Sequence, residues 1–168
     1  MKRQTLAATL VVALSLGITT AAVASSGAGA INLTFPIGAR YNALGEAGTA
    51  LSQDATAQYW NPGGLGFMPS NPSGTQREIH FMQSSLAQGL ADDIGLYWLG
   101  YAMPVGKVGA LGIALNYLDM GDQQATNEDG SLSQEFHSYM FAISATYGVR
   151  LSRTLGVGLG VKYFRDEL

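Results

Sequence analysis

Few residues of this chain have the types and spacing that catalysis requires. The glycines at positions 156, 158 and 160 form a GxGxG pattern, which lacks the GxGxxG spacing and the following helix of a dinucleotide site. Gly106-Lys107 is followed by Val108, so the Ser or Thr of a phosphate-binding loop is absent. No nucleophile elbow and no zinc-binding helix motif occurs. The sequence therefore predicts no enzymatic activity and no catalytic residue.

Metal and cofactor chemistry has equally little support. The chain has no cysteine, which excludes disulfides and thiolate metal sites, and its two histidines, His80 and His137, are far apart in sequence. The acids at 119, 122, 128 and 129 lack the spacing of an EF-hand, so a solvated loop is favoured over weak cation binding there. We expect no metal and no cofactor.

Residues 1–24 have the three parts of a secretory signal. Lys2 and Arg3 form the positive start, an apolar run follows, and Ala22-Val23-Ala24 matches an A-x-A cleavage site. Cleavage after Ala24 is the favoured interpretation. A retained membrane anchor is the alternative, because the apolar run approaches the ~20 residues that span a bilayer.

The composition indicates a surface that faces something other than water. Charged residues make up 12% of the chain, against roughly 25% in a typical soluble domain. Without the two basic residues of the signal, seven basic and twelve acidic residues remain, a formal charge of −5. Because no basic patch occurs, nucleic acid is not an expected partner.

After a turn-rich break at Ser70–Gly74, the chain alternates with a period of two residues. Each alternating segment has one bulky apolar face and one face of small or polar residues, which is typical of a strand. The predicted strands are Glu78–Ser84, Ile94–Met103, Val108–Leu118, Phe136–Gly148 and Thr154–Phe164.

This pattern predicts an all-β fold, namely the first five or so antiparallel strands of a transmembrane outer-membrane β-barrel at residues 76–168. The bulky face would meet lipid and the small face a crowded lumen. Tyr139 and Tyr147, both on the bulky face, would be separated by roughly 20 Å of height, which fits two aromatic girdles. A soluble sheet packed on one side is the alternative.

The connections between the strands support the barrel interpretation. Met103–Val108 and Gly148–Thr154 are predicted as short periplasmic turns, Ser84–Asp93 as an intermediate connection, and Asp119–Glu135 as a long, polar extracellular loop. Five strands cannot close a barrel that needs about eight or more. We therefore expect either the N-terminal part of a longer protein or several chains that complete one barrel.

A Gly- and Ala-rich stretch at residues 25–75 precedes the strands, and we expect it to form a small helical plug. Ala43–Leu51 is predicted as a short helix, Asp54 as the N-cap of a second helical turn, and Asn61–Gly64 as a tight turn. Small side chains would let this stretch lie close against the barrel wall. The pair Tyr59-Trp60 is predicted to pack rather than to face a ligand.

The order of motifs in this stretch resembles the PorV/PorQ-type outer-membrane proteins, which are relatives of the FadL-like barrels. The motifs are a Gly-Ala-Arg step, a Leu-Gly-Glu-Ala step, an Asp-Ala step and Trp-Asn-Pro-x-Gly-Leu. They supply the candidate plug residues, which are Gly38, Arg40, Gly45, Glu46, Asp54, Trp60, Asn61, Pro62 and Gly64. Leu111–Leu118 and Leu159–Tyr163 also look like that family. Gly63 departs from it, because the family usually has Ala there.

The resemblance implies a FadL-like barrel in the bacterial outer membrane, with the N-terminal stretch in or near its lumen. It leaves two functions open: passage of hydrophobic small molecules across the outer membrane, and protein binding in type IX secretion. A structural envelope protein is the third alternative. The expected partners are outer-membrane lipid together with hydrophobic small molecules or secretion-system proteins.

Overall fold

The computed structural model of the chain describes residues 30–70, 77–89, 91–127 and 129–167. The predicted secretory signal at 1–24 and most of the predicted break after Ser70 lie outside these residues. In the described ranges, no helix is long and apolar enough to cross a membrane.

Five strands form one antiparallel sheet in which each strand pairs with its neighbours in sequence. They are β1 (Glu78–Ser85), β2 (Gly95–Val105), β3 (Gly109–Thr126), β4 (Leu132–Arg150) and β5 (Gly156–Glu167). The sheet formed by the described residues is open, with β1 and β5 at its edges. The predicted antiparallel all-β arrangement of five strands is confirmed, and closure into a barrel stays a prediction.

The two faces of the sheet differ as the alternation predicts. On β3, Ile113 is 57% exposed whereas its neighbour Ala114 is 4% exposed. The face that carries Ile113, here called the outer face, holds large exposed side chains. The opposite, inner face holds buried side chains, both small ones and large ones such as Trp98. The outer-face residues include Ile79, Phe81, Leu99, Leu115, Ile143 and Leu159.

Residues 30–70, here called the N-terminal segment, cover the inner face. The segment contains three short helices, α1 (Ala39–Ala43), α2 (Gly48–Leu51) and α3 (Ala57–Trp60), and two 3₁₀ turns, Ile31–Leu33 and Pro62–Ser70. One hydrophobic cluster joins Ile37 of the segment to sheet residues such as Met82 and Trp98. A second cluster joins Leu65 and Met68 to Ala102 and Ala110. The core of the described structure therefore lies between the segment and the inner face.

The predicted single helix over Ala43–Leu51 is wrong, because α1 and α2 are separated there. Gly45 and Glu46 have φ angles of 67° and 65°, a left-handed conformation that an α-helix cannot contain. The N–H of Glu46 donates to the carbonyl of Tyr41 at 2.8 Å, which ends α1 in the manner of a glycine C-cap. Gly45 is thus a stop signal rather than part of a helix.

The predicted long loop over Asp119–Glu135 is also wrong. β3 continues to Thr126 and β4 begins at Leu132, so only five residues separate the two strands in sequence. The pairing shifts register between Asp119 and Asp122, which marks a β-bulge at Gly121. Because this hairpin is polar on both faces, the stretch lacks the apolar alternation from which strands are predicted. The positions of the other predicted connections are confirmed within a few residues, whereas the periplasmic side of the two short turns stays a prediction.

Candidate functional site

The 3₁₀ turn Pro62–Ser70 lies directly on β4 and β5 because the sheet has glycines at the contact. A methyl group at Gly148 would overlap the carbonyl oxygen of Pro62, and one at Gly158 would overlap its carbonyl carbon. A methyl group at Gly156 would overlap the carbonyl oxygen of Gly63. We call Gly148, Gly156 and Gly158 the glycine seam. It allows the backbone of the turn to pack on the backbone of the strands.

Asn61 organises the turn that leads into the glycine seam. Its backbone carbonyl accepts from Gly64 N–H at 2.8 Å, and its side-chain oxygen accepts from Gly63 N–H at 3.1 Å. The side-chain amide donates to the carbonyl of Thr49 at 3.0 Å. The predicted tight turn is confirmed, and Asn61 also ties it to α2. Gly64 is required here because a methyl group would overlap the carbonyl oxygen of Ser52.

Trp60 holds the helical part of the N-terminal segment together. Its indole N–H donates to the carbonyl of Ile37 at 2.9 Å. The ring meets Tyr41 and Tyr59 edge-on, with centroid separations of 6.2 and 5.1 Å. A methyl group at Gly48 would overlap the ring, so α2 can pack against Trp60 only because residue 48 is a glycine. These contacts are those of a packing residue.

Asp54 lies at the junction of α2 and α3. One carboxylate oxygen accepts from Thr56 N–H at 2.9 Å, and the other accepts from the Tyr41 hydroxyl at 2.9 Å. The prediction that Asp54 is the N-cap of the second helical turn is wrong by two residues, because Thr56 occupies the N-cap position of α3. Asp54 closes the preceding turn instead. Nearby, Glu78 at the start of β1 accepts from Ala55 N–H at 2.9 Å.

The phenol of Tyr41 is held in its neutral form. Burial, the hydrogen bond to Asp54 and the negative charge of that carboxylate raise the pKa of Tyr41 to about 12. Burial, with a smaller contribution from the charge of Glu46, also raises the pKa of Tyr59. Both tyrosines of this segment are therefore neutral over the physiological range, and Tyr41 donates its hydroxyl hydrogen to Asp54.

The other candidate plug residues divide into contact and surface positions. Gly38 has a φ of 90° and donates its N–H to the sulfur of Met82 on β1 at 3.1 Å. Arg40, Gly45 and Glu46 are exposed, and the guanidinium of Arg40 lies 5.6 Å from the ring centroid of Tyr41. Of the candidate plug residues, Gly38, Asp54, Trp60, Pro62 and Gly64 are therefore packed within the segment. Asn61 is exposed but bonded to the segment, and the other three lie at its surface.

Three amide side chains buried between the N-terminal segment and the inner face were not among the predicted site residues, namely Asn32, Gln58 and Asn116. Gln58 donates to the carbonyls of Ala55 and Tyr101, at 3.1 and 3.0 Å, and its side chain occupies the space that a side chain at Gly112 would need. Asn116 on β3 donates to the carbonyl of Asn32 at 3.0 Å. The sequence contained one signal for such a contact, namely Asn116, an amide on a strand face that otherwise holds Ala110, Gly112, Ala114 and Leu118.

Little space remains between the N-terminal segment and the inner face. The cavity there has a volume of about 10 Å³ and is lined by residues that include Gln58, Tyr59, Trp98 and Asn116. That volume suits about one water molecule. At this position the N-terminal segment therefore packs closely on the inner face.

The acids of the β3–β4 hairpin surround a histidine. The two ring nitrogens of His137 lie 3.3 Å from Asp119 and 3.0 Å from Asp122. Among the described residues, no group of three or more His, Asp or Glu side chains is arranged to hold a metal ion. At the hairpin tip, Ser131 donates its hydroxyl and N–H to Asp129, and these bonds lower the pKa of that carboxyl.

Comparison with known proteins identifies the chain through one match. The model of a family described as "Type IX secretion system protein PorV" matches residues 22–168. No match was found among curated proteins or among solved structures. The matched range contains the whole N-terminal segment, the glycine seam and all five strands. The chain therefore belongs to the PorV family of type IX secretion system proteins.

Proposed function

We propose that this protein is an outer-membrane component of type IX secretion that binds other proteins of that system. Membership of the PorV family is the observation that carries the secretion role. The sheet supports the membrane location, because its outer face presents large apolar side chains while its inner face is covered by the N-terminal segment. Lipid is the partner that such an exposed apolar face suits.

A row of aromatic residues on the outer face marks one boundary of its apolar region. The ring centroids of Tyr97 and Tyr117 are 6.2 Å apart, and those of Tyr117 and Tyr139 are 5.9 Å apart. The three residues lie on adjacent strands, on the outer face, where the β3–β4 hairpin begins to extend. Tyrosine rows of this kind lie at the interface between lipid and water.

The extended β3–β4 hairpin is the surface that we assign to protein binding. From Asp119 to Thr126 it reaches roughly 20 Å beyond the tyrosine row, at ~3.3 Å per residue. Its side chains are mostly polar and exposed, and its tip is ordered by the bonds between Asp129 and Ser131. A projecting hairpin of this kind offers a partner both exposed side chains and backbone groups.

Passage of hydrophobic small molecules is less well supported by the geometry. The cavity described between the N-terminal segment and the inner face has a volume of about 10 Å³. That volume is too small for a hydrophobic organic molecule. Passage stays a prediction, and protein binding is the function that we favour.

A hairpin replacement tests the proposed function. Residues 122–136 would be replaced with a two-residue Asn-Gly turn in the full-length protein, purified from outer membranes with its associated proteins. We expect the variant to reach the outer membrane and to lose secretion-system partners. The matched control is Lys107→Asn in the short β2–β3 turn, at the opposite end of the sheet. Unchanged partner recovery by the hairpin variant would contradict the assignment of the hairpin.

A further inference from the structure

A second, larger cavity lies between the N-terminal segment and one end of the sheet. It has a volume of about 420 Å³ and lies between α2 with the residues that follow it and the turn that joins β4 to β5. That turn is at the end of the sheet opposite the β3–β4 hairpin, because the strands are antiparallel. Small-molecule sites have volumes of roughly 300–1,000 Å³, so this cavity is large enough for a small organic ligand.

The charge of this cavity comes from one residue. Arg153 is the only charged residue among the described residues that line it. The turn that carries Arg153 is closed without it, because Leu151 N–H bonds to Leu155 and the Ser152 hydroxyl accepts from Thr154 and Leu155. Arg153 makes no ion pair with any described residue. A guanidinium that the fold does not use is therefore available to a ligand.

A buried serine, Ser52, is among the residues that line the same cavity. Ser52 is 3% exposed, and its hydroxyl has no hydrogen-bond partner among the described residues. A buried polar group without a partner costs free energy, so an unpaired hydroxyl beside a cavity indicates a ligand that would pair with it. The cavity also has apolar walls, which Phe67 and Leu155 contribute.

We propose that this cavity binds a small organic anion that carries a carboxylate or phosphate group on a short apolar body. Arg153 would bind the anionic group, since the planar guanidinium matches both carboxylate and phosphate oxygens. The Ser52 hydroxyl would donate a further hydrogen bond, and Phe67 and Leu155 would contact the apolar body. This inference is independent of the proposed function, because the cavity and the β3–β4 hairpin lie at opposite ends of the sheet.

Calorimetric titration of the full-length protein in detergent tests this site. The probes are benzoate and phenyl phosphate, which share the apolar ring and differ in the anion, and benzyl alcohol as the neutral control. We expect an anionic probe to bind at least about tenfold more tightly than benzyl alcohol, as a charge-assisted hydrogen bond implies. The tighter of the two anionic probes would identify the class of anion.

Two variants and a control separate the site from general electrostatics. Arg153→Gln, in an exposed turn, should reduce the affinity for the anionic probe to that for benzyl alcohol. Ser52→Ala should reduce the affinity for the anionic probe several-fold. Lys107→Gln, which removes a cation from the neighbouring turn outside the cavity, should have no effect. The proposal is overturned if neither anionic probe binds, if benzyl alcohol binds equally well, or if Arg153→Gln binds the anions as the unaltered protein does.

Discussion

The indole N–H of Trp60 donates a hydrogen bond to the backbone carbonyl of Ile37, with the two atoms 2.9 Å apart. This bond joins two points of the N-terminal segment that are 23 residues apart in sequence. Ile37 in turn belongs to the hydrophobic cluster that packs on the inner face. The bond therefore couples the fold of the segment to its attachment on the sheet.

Trp60→Phe should loosen the N-terminal segment, because phenylalanine keeps the aromatic packing and leaves the Ile37 carbonyl without its donor. A hydrogen bond of this kind contributes about 1 kcal/mol. We expect a roughly fivefold faster tryptic cleavage after Arg40, which lies in α1 and is exposed. Tyr59→Phe is the control, because its hydroxyl makes no hydrogen bond within the described residues. Equal cleavage rates for the two variants would contradict the role of Trp60.

Gly158→Ala should displace the 3₁₀ turn from the sheet, because the new methyl group would overlap the backbone of Pro62. Overpacking of this kind costs about 1–3 kcal/mol. The expected result is a higher rate of tryptic cleavage after Arg40 and a lower melting temperature. The matched control is Gly160→Ala on the same strand face, where the nearest atom to the methyl group is the Thr146 hydroxyl at 3.2 Å. If both variants showed the same cleavage rate and melting temperature, close packing at the glycine seam would not explain the loss of stability.

Tyr41 should titrate at unusually high pH. Its pKa is raised from 10.0 to about 12, so the folded state favours the neutral phenol. The resulting stabilisation is fully present below pH 10 and is lost as the pH rises toward 12. Phenolate absorbance of the protein minus that of Tyr41→Phe should show this late step.

Asp54→Asn provides the companion measurement for Tyr41. It removes the negative charge that helps to raise the pKa of Tyr41, so the late absorbance step should move to lower pH. Asp129→Asn, at the tip of the β3–β4 hairpin, removes a carboxylate that does not contact Tyr41 and should leave the step in place. If the late absorbance step occurred at the same pH in Asp54→Asn, burial alone would hold the phenol of Tyr41 neutral.

The β3–β4 hairpin can be tested by cross-linking, because the chain has no cysteine of its own. Gln124 and Glu135 are directly opposite in the register, so the double cysteine variant at these positions should form a disulfide under mild oxidation. Cysteines at Gln124 and Gln134 should not, because adjacent positions on β4 face opposite sides of the sheet. Mass spectrometry of the oxidised proteins distinguishes the two results, and equal cross-linking of both pairs would favour a flexible loop.

The sequence by itself determined which side chains of each strand share a face. That information is local, because apolar and small residues alternate along β3 and β4 wherever one side is exposed and the other is covered. The sequence also identified Asn61–Gly64 as a turn, since the residue types of that turn are set by its own backbone. The order of motifs around this turn carried the resemblance that the family match later supported.

Only the tertiary structure decided where the hairpin ends, how the segment is held and which groups are left without partners. The polar hairpin has no apolar pattern, and only its backbone pairing reveals it as two strands. The glycine seam depends on Pro62 meeting Gly148 and Gly158, which are distant in sequence, and the GxGxG pattern alone did not predict that contact. Ser52 and Arg153 line one cavity for the same reason: packing, not spacing along the chain, brings them together.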